Sequence, residues 1–406
     1  MRWVVGAQLS SSHSATERAN VDEAFAAIAK VKAAVDLSIL VVGAKEVPAL
    51  FDAMTDRRGR PVPEVYLWYN LLSDVRGSTP DDFVVNWHGE RSRGWGGWAE
   101  QNPDVEETFR FICPNNPDAR RNTLAQLGHL LDRYPFDGVF LDKLRFPSPA
   151  NGPDEMLSCF CPHCRRAAAA AELDLDGVID LFRRRDFAGE LAPAGRLGER
   201  SWTDELLVPG SLVARFLRFR CDSITSIVTE AVSEIRKRRR KVALDLFSPS
   251  IAAVVGQDYS ALVKHADWAK PMTYRVARGP ASLRLEVPAF VDNLSALTGT
   301  DTASFERWCA DHLPGFDRTT LETIRTTAVP FSIIGREIAG AVERMSPVPV
   351  YFGLELVHYP GMIEINPSDV LGMVEAGRGA GVAGTIISWD LMHAPADGLR
   401  ALGDTL

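Results

Sequence analysis

Short apolar runs alternate with amphipathic stretches from one end of the chain to the other. The runs predict strands over Trp3–Leu9, Leu37–Val42, Val65–Tyr69, Asp137–Leu141, Val242–Phe247, Trp268–Tyr274, Val348–Leu356 and Gly384–Trp389. Between the first two, Thr16–Val35 carries Val21, Ala24, Phe25, Ile28 and Val31 on one stripe, the 3.6-residue spacing of a helix. Near-continuous apolar strands separated by helices predict a parallel sheet covered on both faces. Eight such units over 406 residues fit an α/β (β/α)8 TIM barrel better than an open doubly wound sheet. No G-x-G-x-x-G follows the first strand, which weighs against dinucleotide binding.

The spacing of the units is uneven. Extra length falls at about 70–136, which holds Trp87, Trp95 and Trp98, at 143–240, with helical Ser211–Arg240, and at 275–347. All three stretches follow strands, so in a barrel they leave from the C-terminal face, where active sites are built. No linker rich in Gly, Ser or Pro separates a second unit, so residues 1–406 read as one barrel domain with long βα-loop insertions. Ala188–Leu197 and Val276–Pro288 are the expected mobile loops.

Composition narrows the function classes. Hydrophobic residues make up 46% and charged residues 24%, an ordinary globular balance. The net charge of −8 argues against a nucleic-acid partner. No apolar stretch approaches the ~20 residues of a membrane helix, and the N-terminus lacks a signal-like apolar region. A cytoplasmic protein with reduced thiols, and no membrane partner, is the expectation. Six cysteines are too sparse for a disulfide scaffold in so long a chain, yet three of them fall within six residues.

The strongest local pattern is FDGVFLDKLRFPSP, residues 136–149. Asp137-Gly138 turns into a strand filled by Val139, Phe140 and Leu141, and Asp142 falls at its C-terminal end. A carboxylate there points into the barrel mouth beside Lys143 and Arg145, which can hold it ionised or orient a substrate. Asp137 shapes the turn. The longer stretch NPDARRNTLAQLGHLLDRYPFDGVFLDKLRFP resembles the fourth-strand region of glycoside hydrolases with (β/α)8 barrels, in which a Pro-x-x-Arg helix start leads to a D-G-x-x-x-D strand. The resemblance covers this central segment and implies a glycosidase without naming its sugar.

The second pattern is Cys159-Phe160-Cys161-Pro162-His163-Cys164. Three thiolates leave a tetrahedral metal one ligand short, and either Cys113 or His163 could complete it. The arrangement resembles the structural zinc cluster of family 42 β-galactosidases, where one early cysteine joins a C-x-C-x-x-C tract after the fourth strand. That resemblance implies Cys113, Cys159, Cys161 and Cys164 as ligands of a structural Zn2+, with no organic cofactor. Cys221 and Cys309 read as plain core residues.

Glu355, in VPVYFGLELVHYP, lies at the end of the predicted seventh strand. Retaining glycosidases of the large barrel clan carry an acid/base at the fourth strand and a nucleophilic Glu at the seventh. Asp142 and Glu355 occupy those places by count, although the clan has Asn-Glu where this chain has Leu141-Asp142. Alternatively Asp142 is the nucleophile, with the acid supplied by Glu355, Glu286 or Asp245. A retaining pair stands ~5–5.5 Å apart and an inverting pair ~6.5–9.5 Å. Arg145, Asp245, Tyr274, Trp68, Asn70, Trp389 and Asp390 sit where strands open into loops and are the candidate sugar contacts. PMTYR and GTIISWD also look like the sixth and eighth strands of the same glycosidase-like barrels.

Two features read more plainly. Arg236–Lys241 (RKRRRK) ends a long predicted helix, where positive charge complements the dipole. The alanine run 167–171 is a strong helix former. The expectation is thus a zinc-pinned barrel that hydrolyses a glycosidic bond of a carbohydrate substrate. Its rivals are a non-hydrolytic carbohydrate-binding barrel and a barrel hydrolase or lyase of another class.

Overall fold

The computed structural model describes residues 3–11, 20–56, 58–95, 108–191, 207–312, 318–359 and 363–406. Eight strands run parallel: β1 (Val4–Ser10), β2 (Leu37–Gly43), β3 (Glu64–Asn70), β4 (Gly138–Asp142), β5 (Lys241–Phe247), β6 (Trp268–Met272), β7 (Tyr351–Glu355) and β8 (Gly384–Ser388). Their order, β6-β5-β4-β3-β2-β1-β8-β7, is that of a barrel. An isolated parallel bridge between Ala269 and Val350 brings β6 and β7 together. Helices Val21–Ala34, Pro48–Thr55, Pro117–Arg133, Leu212–Lys237, Phe331–Met345, Pro367–Gly379 and Ala396–Thr405 form the outer ring. Short helices at Pro249–Ala252 and Tyr259–Leu262 serve between β5 and β6. The (β/α)8 expectation is met.

Local chemistry explains the boundaries. Two helices start on Asn-Pro: the Asn116 side chain accepts from the backbone of Asp118 and Ala119, and Asn366 accepts from Asp369, with proline in the first turn each time. The first helix starts at Val21 rather than at Thr16, because Asn20 caps it; Thr16 itself lies outside the described residues. The seventh strand starts later than the apolar run, since Val348 N–H turns back to the Met345 carbonyl at 2.7 Å. Pro288 falls inside the helix Leu283–Thr298 rather than in a loop, where burial of Leu283, Val287, Phe290 and Val291 outweighs the missing N–H. Of the expected loop Ala188–Leu197, residues from 192 onward lie outside the described residues, as does Trp98.

Alternation along the strands divides the barrel interior from its helix-covered outside. Ile39, Val41, Tyr66, Phe140, Ala243, Trp268 and Ile386 pack together inside. The same face continues toward the C-terminal end as Trp68, Asp142, Asp245 and Lys270, so the interior turns polar at the mouth. At the opposite end Asp137 shapes the turn as expected, accepting Val65 N–H at 2.8 Å and pairing with Arg60.

Candidate functional site

Asp142 and Asp245 stand on neighbouring strands at the same level, one step beyond the register pair Leu141–Leu244. Asp142 is 7% exposed. One of its oxygens accepts the Trp68 indole N–H at 2.8 Å, the other the Lys143 backbone N–H at 2.5 Å. Trp68, a candidate sugar contact, thus also positions the carboxylate. Lys143, in a left-handed conformation (φ 50°), turns its ammonium away to Asp74 at 2.7 Å. Burial works to raise the Asp74 carboxyl, but the Lys143 ion pair outweighs it and leaves it below its usual range.

Asp245 lies inside β5 rather than at its tip. Its Oδ2 accepts from Lys270 Nζ at 2.9 Å, while Oδ1 is buried without a hydrogen-bond partner. Burial pushes the carboxyl up to about 8 against the pull of Lys270, with the neighbouring Asp142 charge adding to the rise. Lys270 also donates to Gln8 Oε1 at 3.0 Å. Burial works to lower its ammonium, but Asp245 and Tyr274 outweigh that and hold it above its usual range. The Tyr274 hydroxyl, pushed up to about 12 by burial, is itself buried without a hydrogen bond of normal geometry, and the ring meets Trp389 edge-on at 5.7 Å. Gly353 makes room for this group: a Cβ there would lie 2.8 Å from the Tyr274 ring and 3.0 Å from Lys270 Cε.

Lys270 and Gln8 were missed in the sequence because both stand inside apolar runs. The available signal was phase: Lys270 falls on the same strand face as Trp268 and Met272, at the level that pairs with Asp245 in register.

Glu355 occupies the end of β7, fully buried, and both its oxygens are engaged. The backbone N–H groups of Arg275, Val276 and Ala277 donate to them at 2.6–3.2 Å. Burial raises its carboxyl despite these donors. Glu286 plays a similar part between two loops, accepting from Ser148 Oγ, Ala150 N–H and Ala281 N–H at 2.8–2.9 Å. Arg145 is buried between the Phe111 and Phe247 rings, where burial lowers its guanidinium to about 10, with Glu286 and Asp142 the nearest carboxylates. Asn70 pairs in register with Asp142. Asp390 accepts from Ser10 and Met392 N–H, tying β1 to the turn after β8.

The cysteine tract and Cys113 converge. The sulfurs of Cys113, Cys159, Cys161 and Cys164 are buried and lie within 4.8 Å of one another. Val85, Asn115 and Cys164 backbone N–H groups and the Asn115 side-chain amide point at them at 3.2–3.5 Å. His163 instead faces Arg166 outside the cluster. Four sulfurs at this spacing suit a tetrahedral ion with ~2.3 Å bonds. The cluster joins the β3–β4 insertion to the β4–β5 insertion. Cys221 is buried as expected; the Cys309 side chain lies outside the described residues. The RKRRRK tract is spent on surface pairs, Arg236–Asp267, Arg238–Asp132 and Lys241–Glu64. No described helix is long and apolar enough to cross a membrane.

No protein-family model matches the chain, and no curated protein matches it in sequence. Solved structures do match in fold. The glycoside hydrolase domain of PgaB (BpsB) from Bordetella bronchiseptica superposes with a TM-score of 0.56 at 13% identity, covering 98% of both chains. The catalytic domain of β-amylase from Paenibacillus polymyxa gives 0.52 at 8% identity, covering 99% of this chain and 97% of that one. At such identities the likeness is one of fold. This chain shares its barrel with proteins that cleave sugars.

Proposed function

We propose that this chain is a glycoside hydrolase whose reaction takes place at the C-terminal mouth of one barrel formed by residues 1–406, with Asp142 as nucleophile and Asp245 as proton donor. The observation that carries the reading is the placement of these two carboxyls on adjacent strands, facing the same interior. Strands lie ~4.8 Å apart, which fits the ~5–5.5 Å spacing of a retaining pair. Asp142 attacks the anomeric carbon as the bond to the leaving oxygen breaks, and the proton on Asp245 passes to that oxygen. Water then attacks the glycosyl ester, Asp245 takes its proton, and Asp142 is released. Lys270 stabilises the Asp245 carboxylate between the two steps. The free Oδ1 of Asp245 is the oxygen available to carry the proton.

The pairing of Asp142 with Glu355 fits by strand count, but Glu355 would have to release three backbone donors to act. Asp245 requires no such release. Trp389, Tyr274 and Asn70 remain candidate sugar contacts around the pair, whereas Arg145 and Asp390 support loops. The four-cysteine cluster fits Zn2+ held by Cys113, Cys159, Cys161 and Cys164, as the family 42 resemblance implies. With no open ligand position such an ion supplies rigidity between two loops, and the buried Arg220 guanidinium, within electrostatic reach of Cys159 and Cys164, offsets its thiolate charge.

Turnover of aryl glycosides and a glycan panel by wild type, Asp142→Asn, Asp245→Asn and Glu355→Gln tests the reading. The first two variants should lose about 100-fold or more. Near-wild-type turnover in either, or binding of glycans with no hydrolysis by the wild type, would overturn it.

A further inference from the structure

A cleft of ≈ 860 Å³ opens beside the mouth, between the ends of β2 and β3 and the helix Pro117–Arg133. That volume lies within the ~300–1,000 Å³ of small-molecule sites. Its inner end is Asn70, the register neighbour of Asp142, whose Oδ1 is buried without a hydrogen-bond partner. Asp142 is not itself in the lining; Asn70 is the residue that connects this space to the mouth.

Among the described residues the charges of its walls do not cancel. Both acidic groups in the lining are already neutralised from behind: Asp74 by Lys143 at 2.7 Å, and Glu46 by Arg133 at 3.3 Å. Arg76 and Arg110 line the same cleft and meet no carboxylate among the described residues. Arg110 is nonetheless held in place, its guanidinium 4.0 Å over the Phe83 ring and its Nε 3.4 Å from the Ser92 carbonyl. Lys45 adds a third cation to the lining. In a chain of net charge −8, a cleft lined by two guanidiniums, that of Arg110 held in place, and a buried amide oxygen is, among the described residues, a local reversal of sign.

We propose that this cleft binds an anionic glycan, its acidic groups received by Arg76 and Arg110 and a sugar hydroxyl by Asn70. The assignment rests on the glycosidase reading for its location but not for its test. Guanidinium groups match carboxylate and sulfate oxygens in forked geometry, and a neutral glycan would leave them unanswered.

The test is calorimetric binding to the full chain carrying Asp142→Asn, so that no hydrolysis intervenes. The probes are a tetragalacturonate, a sulfated galactan tetrasaccharide and the neutral cellotetraose. Tighter binding of either acidic probe than of cellotetraose, weakening with added NaCl, is expected; the two acidic arms tell carboxylate from sulfate recognition. Arg76→Gln and Arg110→Gln should each lower that affinity about ten-fold, roughly 1.4 kcal/mol. Arg110→Lys should restore part of the loss. Arg76 is exposed, so its variant tests the charge even if Arg110→Gln disturbs the loop. Equal affinity for all three probes, or acidic-probe affinity unchanged in the double variant, would overturn the proposal. Acidic-probe binding by the cleft with no turnover of any glycan by the wild type would sink the hydrolase reading and leave the cleft assignment standing.

Discussion

Replacing Glu355 by Gln separates a carboxylate that holds a loop from one that performs chemistry. The native side chain is fully buried and takes three backbone N–H groups on two oxygens, at 2.6–3.2 Å. A glutamine keeps one oxygen, able to serve Val276 and one neighbour. The remaining N–H then faces an NH2 group. A buried donor without an acceptor costs ~1–3 kcal/mol, and the two surviving bonds lose their charge assistance. Relief from burying a charge, the effect that raises the Glu355 carboxyl, offsets part of this. A net loosening of about 2 kcal/mol follows, or roughly 30-fold less protection from hydrogen exchange at residues 275–277. Glu355→Leu, which strands all three donors, should cost about 4 kcal/mol or more.

The pH dependence has a definite sign. A carboxyl raised by folding binds its proton more tightly in the folded chain than in the unfolded one. Its contribution to stability is then full below the unfolded value near 4.5 and declines as pH rises through the folded value. Glutamine does not titrate, so the stability gap between wild type and Glu355→Gln should narrow as pH rises. Exchange mass spectrometry of the 275–277 peptide, beside glycoside turnover, reads both halves of the argument. A variant with native protection at 275–277 and abolished turnover would refute the holding role and restore Glu355 as the partner of Asp142.

Turnover should require protonated Asp245, be retained below pH 8 and fall above it, because burial sets that carboxyl near 8. Lys270→Met removes the charge that opposes the rise and should move the alkaline limb to higher pH; a limb that stays in place in the variant would exclude Asp245 as the acid. Metal analysis of the purified chain should find stoichiometric zinc, lost in Cys164→Ala with a fall in Tm of about 5 °C or more; a metal-free chain of unchanged Tm would reject the cluster as a metal site. Gly353→Ala puts a methyl against Tyr274 and Lys270, and should cost about 1–3 kcal/mol by thermal or urea unfolding while lowering turnover; unchanged stability would mean the interior has slack beside β7.

The barrel was legible because each strand is an apolar run of the right length, and seven of the eight predicted runs match the observed strands within two residues at both ends. The four-cysteine convergence was legible because a dense tract needs one further ligand, and Cys113 stands before the helix that leads into β4. Strand position alone, however, cannot tell what a carboxylate touches. Glu355 and Asp142 both end strands, yet one receives loop amides and the other an indole N–H. Asp245 and Lys270 were harder to weigh, because an ion pair inside a barrel interrupts two apolar runs at one level and is visible only once the register is known. Net charge is likewise silent about any one site. Averaged over the chain it is −8, but the sign in a cleft depends on which carboxylates are already spent, and Asp74 and Glu46 are.

Buried carboxylates are numerous around this mouth, and their partners sort them. Glu155 accepts from Ser92 Oγ at 2.5 Å and Arg93 N–H at 2.7 Å, joining the β3–β4 insertion to the β4–β5 insertion. Glu286 joins the β4–β5 loop to the loop after β6, and Glu355 joins that loop to β7. Each has a carboxyl raised by burial, which by itself would recommend it as a proton donor. Each also spends its oxygens on backbone N–H groups of a segment that has no strand ladder to hold it, and withdrawing such a carboxylate for catalysis would release the segment. Asp142 and Asp245 differ because their supports come from the barrel and its rim: Trp68 on β3, Lys270 on β6, and the backbone of Lys143 immediately after β4. A group held by the rigid sheet can change its charge or form a bond without disordering a loop. That distinction, rather than the size of any one pKa shift, is what the proposal of the β4–β5 pair as the reacting carboxyls rests on, with the three glutamates as fastenings of the mouth.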